Sequence, residues 1–272
     1  TTRNVSSRHR SMRVVLDGSW TLLSTQEQTL FKRLSIFRGG FTRDAAEDVA
    51  GASVRTLAAL VDKSFLRHEM SGRYAVHELL RQYGEERLDE APDQAQAVRE
   101  RHCDYYKNFL FDHTDGILRT NERGAFLAVD EELENIRLAW QWMLSRSNLD
   151  GLVAAANLIS HHHFGRGLYA EVETMMNHAI VQLAGRGQFL LAWLRSLRSR
   201  SAQFLSRFEE ARQGYQESLA VFRSYRNAHM SWETICWLSE TERALGNYAE
   251  ARRLGEEAQE FEVYYDEYAW LQ

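Results

Sequence analysis
The sequence of 272 residues predicts a mainly α fold in two parts: a small helical domain with one β-hairpin, then stacked antiparallel helix pairs. Three observations predict it. Pro92 is the single proline, and proline is excluded from helix interiors by its missing donor and its ring clash. From Ala95 onward the apolar residues recur at helical spacing. Within that stretch Tyr169-Ala-Glu-Val, Phe208-Glu-Glu-Ala and Tyr248-Ala-Glu-Ala form an aromatic-x-Glu-small repeat with a period of 39 and 40 residues.

The elements follow in order. Ser24-Thr-Gln-Glu27 is a capping box, serine at the N-cap and glutamate three residues on. Leu30, Phe31, Leu34 and Phe37 then lie at helical spacing, and Gly39-Gly40 stops the run. Thr42 is placed to cap a second helix, Arg43 to Ala50, closed by Gly51. Ser53 is placed to cap a third, from Val54 to about Lys63. Phe65-Leu-Arg-His68 and Arg73-Tyr-Ala-Val76 read as strands joined through the turn residues Ser71-Gly72. A helix from about His77 to Asp89 completes the order of a winged helix. Pro92, in Glu90-Ala-Pro-Asp-Gln, marks the expected linker. The expected domains are therefore an N-terminal linker or helix over 1–18, a winged helix over 19–90, and helical repeats over 95–272.

A small residue follows each repeat aromatic by ten positions: Ala179, Ser218 and Ala258. The aromatic is expected to fill the space between two helices, and the small residue to let the next helix approach. A lone helix pair cannot bury its apolar face, so neighbours stack into a solenoid. The repeat aromatics, with Trp140, Trp142, Tyr264, Tyr265 and Trp270, belong mostly to the core, and Trp140, Trp142, Tyr169 and Tyr248 are the candidates for a ligand or partner surface.

Composition narrows the function. The chain is 44% hydrophobic and 26% charged, ordinary for a globular protein. No apolar run approaches the ~18 residues of a membrane helix. Cys103 and Cys236 form no paired motif, which points to a reduced, cytoplasmic setting. Residues 1–88 carry a net charge of +4 and residues 89–272 a net charge of −9, as expected of two domains with different surfaces. The polar start without an initiator Met suggests a piece of something longer.

Catalytic signatures are missing. The lysines Lys32, Lys63 and Lys107 follow Phe31, Asp62 and Tyr106, so none belongs to a phosphate-cradling Gly-Lys loop. His77-Glu78 continues as Leu-Leu-Arg and makes no zinc helix, and there is no Gly-x-Ser-x-Gly elbow or Cys-x-x-Cys pair. His161-His-His163 places consecutive rings about 100° apart on a helix, which suits packing or solvation better than one metal ion. The chain is therefore expected to be no enzyme and to hold no metal or cofactor of its own. Arg3, Arg8, Arg10 and Arg13 are basic enough for DNA phosphates, but the third helix offers only Arg55, Thr56 and Lys63 among apolar neighbours. That composition suits a protein partner better than a DNA groove.

Arg33-Leu-Ser-Ile-Phe-Arg-Gly-Gly-Phe41, Leu60-Val-Asp-Lys-Ser-Phe-Leu66 and the block from Arg73 to Leu88 together resemble the winged-helix domain of STAND-class signalling ATPases. That group includes large bacterial transcriptional regulators. Val76-His77-Glu78 falls where those proteins carry Met-His-Asp, with Glu78 in place of the aspartate. Leu245-Gly-Asn-Tyr-Ala-Glu-Ala251 resembles the centre of a tetratricopeptide repeat, and Glu132-Leu-Glu-Asn-Ile-Arg-Leu-Ala-Trp140 resembles a Glu-x-x-Asn-Leu-x-x-Ala segment of the same regulators. The resemblance implies that His77 contacts the β-phosphate of ADP in a longer parent that uses ADP, ATP and Mg. It implies an upstream nucleotide-binding domain as one partner, and an inducer or protein on the repeats as another. A DNA-binding winged-helix regulator with a helical effector domain is the alternative.

Overall fold
A computed structural model describes residues 13–120 and 122–260. Among these residues the protein is mainly α, as predicted, with one two-stranded antiparallel sheet. The chain divides into two compact units. One takes in the described residues up to Phe109 together with Leu127–Trp142, and the other Leu110–Phe126 and the described residues from Met143.

The described part of the first unit begins with helical residues 13–20 (α1), which overlap the stretch expected to be a linker or helix. Tyr83 donates to Asp17 at 2.7 Å and Trp20 packs edge-on to Tyr83, which ties α1 to its unit. Helix α2 (Thr25–Leu34) starts at the predicted capping box: Ser24 accepts from the Glu27 amide and Glu27 accepts from the Ser24 amide. Helices α3 (Arg43–Ala50) and α4 (Val54–Asp62) are capped by Thr42 and Ser53, as predicted. Strands β1 (Arg67–His68) and β2 (Tyr74–Ala75) have two residues each, shorter than predicted, because Phe65 and Leu66 turn into the core instead of extending the ladder. Gly72 takes the positive φ of the turn. Helix α5 (Glu78–Asp89) packs on α2, with Gly84 at the crossing: a Cβ there would stand 2.9 Å from both Phe31 and Ser35.

Pro92 departs from expectation. It opens helix α6 (Pro92–Asp112) instead of lying in a linker between the two helices. Its missing amide is one of the orphans of a helix start, and its fixed φ already suits the first turn. The first unit also reaches past the predicted boundary, because α6 and the middle of α8 (Arg123–Arg146) complete its core. Phe31, Leu34, Phe41, Leu57, Leu60 and Tyr106 are fully buried there.

In the second unit α7 (Thr114–Leu118) precedes three helix pairs: α9 (Leu149–Gly165) with α10 (Tyr169–Gln182), α11 (Gln188–Phe204) with α12 (Phe208–Ser224), and α13 (Ala228–Ala244) with α14 (Tyr248–Glu260). Connections of three residues, such as 205–207 and 245–247, fold each helix back on its predecessor. Arg207 N–H donates to Ala202 O and Asn247 N–H to Glu242 O, the long-reach bond of a helix C-cap. Ala179, Ser218 and Ala258 are buried as predicted.

The repeat aromatics are placed differently from expectation. Each is the first residue of the second helix in its pair, and Tyr248 is 71% exposed. The space between helices is filled instead by residues further in, among them Ala211, Tyr215, Leu219, Ile235 and Leu238. Tyr169 instead stacks on Phe204, at the end of the helix that follows.

Candidate functional site
The first unit carries a cavity of about 260 Å³ between the loop after α2 and the start of α5. Its wall includes Arg38, Gly39, Gly40, Arg67, Glu69, Val76, Glu78 and Arg81. The loop is held there by backbone pairing. Phe41 donates to Tyr74 O at 2.9 Å and Tyr74 donates to Phe41 O at 2.8 Å, adding a bridge beside β2. Gly40 has φ +96° and a Cβ on it would stand 3.0 Å from Tyr74 O, so both conformation and space demand glycine.

The far side of the loop is clamped by the Glu-x-x-Asn segment of α8. Asn135 accepts from the Arg38 amide at 2.7 Å and donates to Gly40 O at 2.9 Å and to Glu132 at 2.8 Å. Glu132 also accepts from Tyr106 at 2.8 Å and pairs with Arg73 of the hairpin. Both residues are buried, where an unpaired polar group is costly and a fully paired one fixes geometry. The sequence had drawn attention to this segment only by resemblance. The available signal was two polar side chains at i and i+3, on one face of a helix, among Leu, Ile, Ala and Trp.

Charge in the cavity is nearly balanced. Arg81 bonds Glu78 through two contacts of 2.7 Å and Glu85 through a third, while Arg38 reaches Glu85 at 2.7 Å and the Ser35 and Ile36 carbonyls. Hydrogen bonds from Arg81 hold the exposed Glu78 carboxyl down to about 2. Glu78 thus secures the first turn of α5 through Arg81. Arg67 is exposed and forms no ion pair among the described residues.

His77 lies between Val76 and Glu78, which line the cavity, and is not itself part of the lining. It is the N-cap of α5, and its Nδ1 accepts from the Leu79 amide at 3.3 Å. The neutral ring then carries its hydrogen on Nε2. His77 is exposed instead of packed between hairpin and helix. It therefore presents an outward donor at a helix N-terminus, where the backbone adds a partial positive charge.

The other candidates lie apart from this cavity. Trp140 is 3% exposed in the first unit, with its indole N–H buried and unpaired, so it is a packing residue and not a surface one. Trp142 belongs to the same unit and is half-buried beneath Arg99. Tyr169 and Tyr248 belong to the second unit. His162 and His163 are fully buried, with His162 stacked on Phe126; His161 is half-buried and bonded to Asn157 O. No metal-binding group of His, Cys, Asp and Glu occurs among the described residues. At the C-cap of α4, Lys63 donates to Glu27 and Leu22 O, and within α4 Thr56 is engaged by the Ser53 cap while Arg55 is exposed. Arg3, Arg8, Arg10, Tyr264, Tyr265 and Trp270 lie outside the described residues. Among the described residues no helix is long and apolar enough to cross a membrane.

No family model matches the chain. Over 174 residues, 60% of its length, it is 30% identical to proteins of Mycobacterium bovis and Mycobacterium tuberculosis provisionally named HTH-type transcriptional regulators. The chain spans 19% of the length of these relatives. Among solved structures it aligns with a signal-transduction ATPase with numerous domains that has a tetratricopeptide-repeat sensor, from Pyrococcus horikoshii. That alignment has a TM-score of 0.36 and 12% identity, and covers 89% of this chain and 51% of the other.

Proposed function
We propose that this chain is the non-catalytic regulatory arm of a cytoplasmic transcriptional regulator of the STAND type. Residues 19–90 form a winged helix that meets an upstream nucleotide-binding domain, and the repeats over 95–272 receive an inducer or protein partner. His77 donates from Nε2 to the β-phosphate of ADP and favours the closed, ADP-bound state. ATP with Mg occupies the nucleotide domain of the parent in the open state. The observation that carries this reading is the N–H of exposed His77 at the start of α5, between Val76 and Glu78, which line the cavity with Gly39 and Gly40. The transcriptional role is supported by the names of the mycobacterial relatives.

The test is nucleotide retention in the full-length regulator. His77→Ala is expected to speed ADP release about tenfold, the loss of roughly 1.4 kcal/mol of contact. Unchanged ADP content after purification would end the switch role. The name of the relatives also favours a second reading, DNA binding by the winged helix itself. A duplex titration separates the two, because phosphate contacts make affinity fall steeply with salt. A low-salt shift abolished by Arg55→Ala would support the second reading, and no shift at low salt removes it.

A further inference from the structure
The first helices of the three pairs are in register. His161, Arg200 and Glu240 each stand twelve residues past the start of their helix, at Leu149, Gln188 and Ala228. Helix α11 packs against both α9 and α13, so these positions form one row across three neighbouring helices. Trp193 and Glu233 form a second row, each five residues past a helix start.

Arg200 is the anomaly in this row. Its guanidinium lies 3.6 Å from the Trp237 ring centre, 4.6 Å from Phe164 and 6.0 Å from Phe204. It makes no hydrogen bond and no ion pair among the described residues, and its Nε is buried without a partner. A desolvated donor left without an acceptor is destabilising, so the arrangement calls for a partner from outside the chain. Glu233 and Glu240 on α13 are near enough to act on its charge but do not pair with it. Burial lowers the pKa of Arg200 and raises that of Glu233, in each case outweighing the attraction of the opposite charge. His161 is held down to about 4 by burial and by the Arg200 charge.

We propose that this row is a receptor site for a small aromatic carboxylate, gripped end-on by the two Nη groups of Arg200. The proposal rests on the reading that the repeats receive a signal, and names the chemistry of that signal. Aromatic rings fix the guanidinium plane and leave its flat donor edge for a planar, two-oxygen acceptor. Glu233 and Glu240 oppose a dianionic phosphate more than a single carboxylate charge. Tyr169, stacked on Phe204 at 4.6 Å, extends the ring surface on which an aromatic body would lie.

The chain is titrated with phenylacetate and followed by ligand-observed NMR. Saturable binding is expected, weakened at least tenfold by Arg200→Gln, and several-fold by Trp237→Leu. Arg200→Lys keeps the charge and loses the fork; it is expected to weaken binding several-fold too, and it carries the test if Arg200→Gln proves unfolded by circular dichroism. Phenylacetamide, the neutral isostere, is expected not to compete. No saturation below about 10 mM, equal binding of phenylacetamide, or undiminished binding by the folded Arg200 variants would overturn the site. Displacement of phenylacetate by inorganic phosphate or by a peptide with a free C-terminus, at lower concentration than phenylacetate itself needs, would overturn the ligand class. His77→Ala is expected to leave phenylacetate binding intact. A regulator that passes the ADP-retention test and ignores phenylacetate keeps its regulatory role and loses only this ligand.

Discussion
The two units solve the same packing problem by different means. In the first, a few buried polar groups that are far apart in sequence hold irregular chain in place: Asn135 reaches 97 residues back to Arg38 and 95 back to Gly40. In the second, the same helix pair recurs, and small buried residues such as Ala179, Ser218 and Ala258 set the spacing. One unit concentrates its stability in a latch, and the other spreads it over repeats. A single substitution should therefore cost more in the first unit than in the second.

Asn135→Ala is the sharpest way to break that contrast. It leaves the Arg38 amide, the Gly40 carbonyl and a Glu132 oxygen short of a partner inside the core. A loss of about 3–5 kcal/mol is expected, since each buried orphan costs roughly 1–3 kcal/mol. Hydrogen exchange resolved by segment would show the loss in α2 to α6 and leave α11 to α14 protected. A loss below about 1 kcal/mol would mean that the latch decorates a core already stable without it.

Acid should unsettle the first unit before the second. His102 is 1% exposed, and burial holds its pKa down to about 4. The unfolded chain takes up its proton near pH 6.5 and the folded chain does not. Stability is thus present above pH 6.5 and lost as pH falls toward 4, by up to about 3 kcal/mol. His161 has a similar depression but is half-buried, so solvent screening makes its loss smaller. Exchange measured from pH 7 to 4 should show α6 opening first, and His102→Leu should flatten that dependence. An equal response in α9 would erase the distinction.

Close helix crossings offer a comparison at matched sites. Gly84 of the first unit faces Phe31 and Ser35, and Gly214 of the second faces the buried Ser199 hydroxyl. Gly214→Ala should cost about 1–3 kcal/mol through overpacking. Ser199→Ala should recover most of it, because the obstacle is one small side chain whose hydroxyl bonds only Arg195 O of its own helix. Gly84→Ala meets the larger Phe31 ring and should resist rescue by Ser35→Ala. Denaturant midpoints of the four single and two double variants decide it, and equal rescue at both sites would show that the two crossings yield alike.

What could be read from the sequence follows the same division. Caps at Ser24, Thr42 and Ser53, the repeat period and the buried small residues are local signals, set by spacing along one or two helices. His77 was legible as the junction of hairpin and helix, but not its exposure or the Nδ1 bond that turns its N–H outward. The latch was not legible as a latch, since nothing near Glu132 or Asn135 in sequence points to Arg73 or Gly40. Trp140 proves to be buried because an amphipathic helix of the expected repeat region also serves the first unit, and its stripe does not say which core it enters. Arg200 carries no signal in the sequence, because an arginine within a helix looks solvated until its neighbours are known.

The smallest expected effect bears on the repeats alone. Gly167, Ser206 and Gly246 occupy the same turn of successive pairs with φ of 72°, 60° and 82°. Glycine adopts that conformation without a Cβ penalty, and serine does not. Ser206→Gly should thus stabilise the second unit by about 0.5 kcal/mol: roughly 1 kcal/mol of relieved strain is partly offset by the greater freedom of the unfolded chain. The converse change, Gly246→Ser, should cost a similar amount. Thermal unfolding of both variants measures the pair. A Ser206→Gly variant less stable than the parent would mean that the hydroxyl, not the backbone, sets that turn, and that the three turns are alike only in shape.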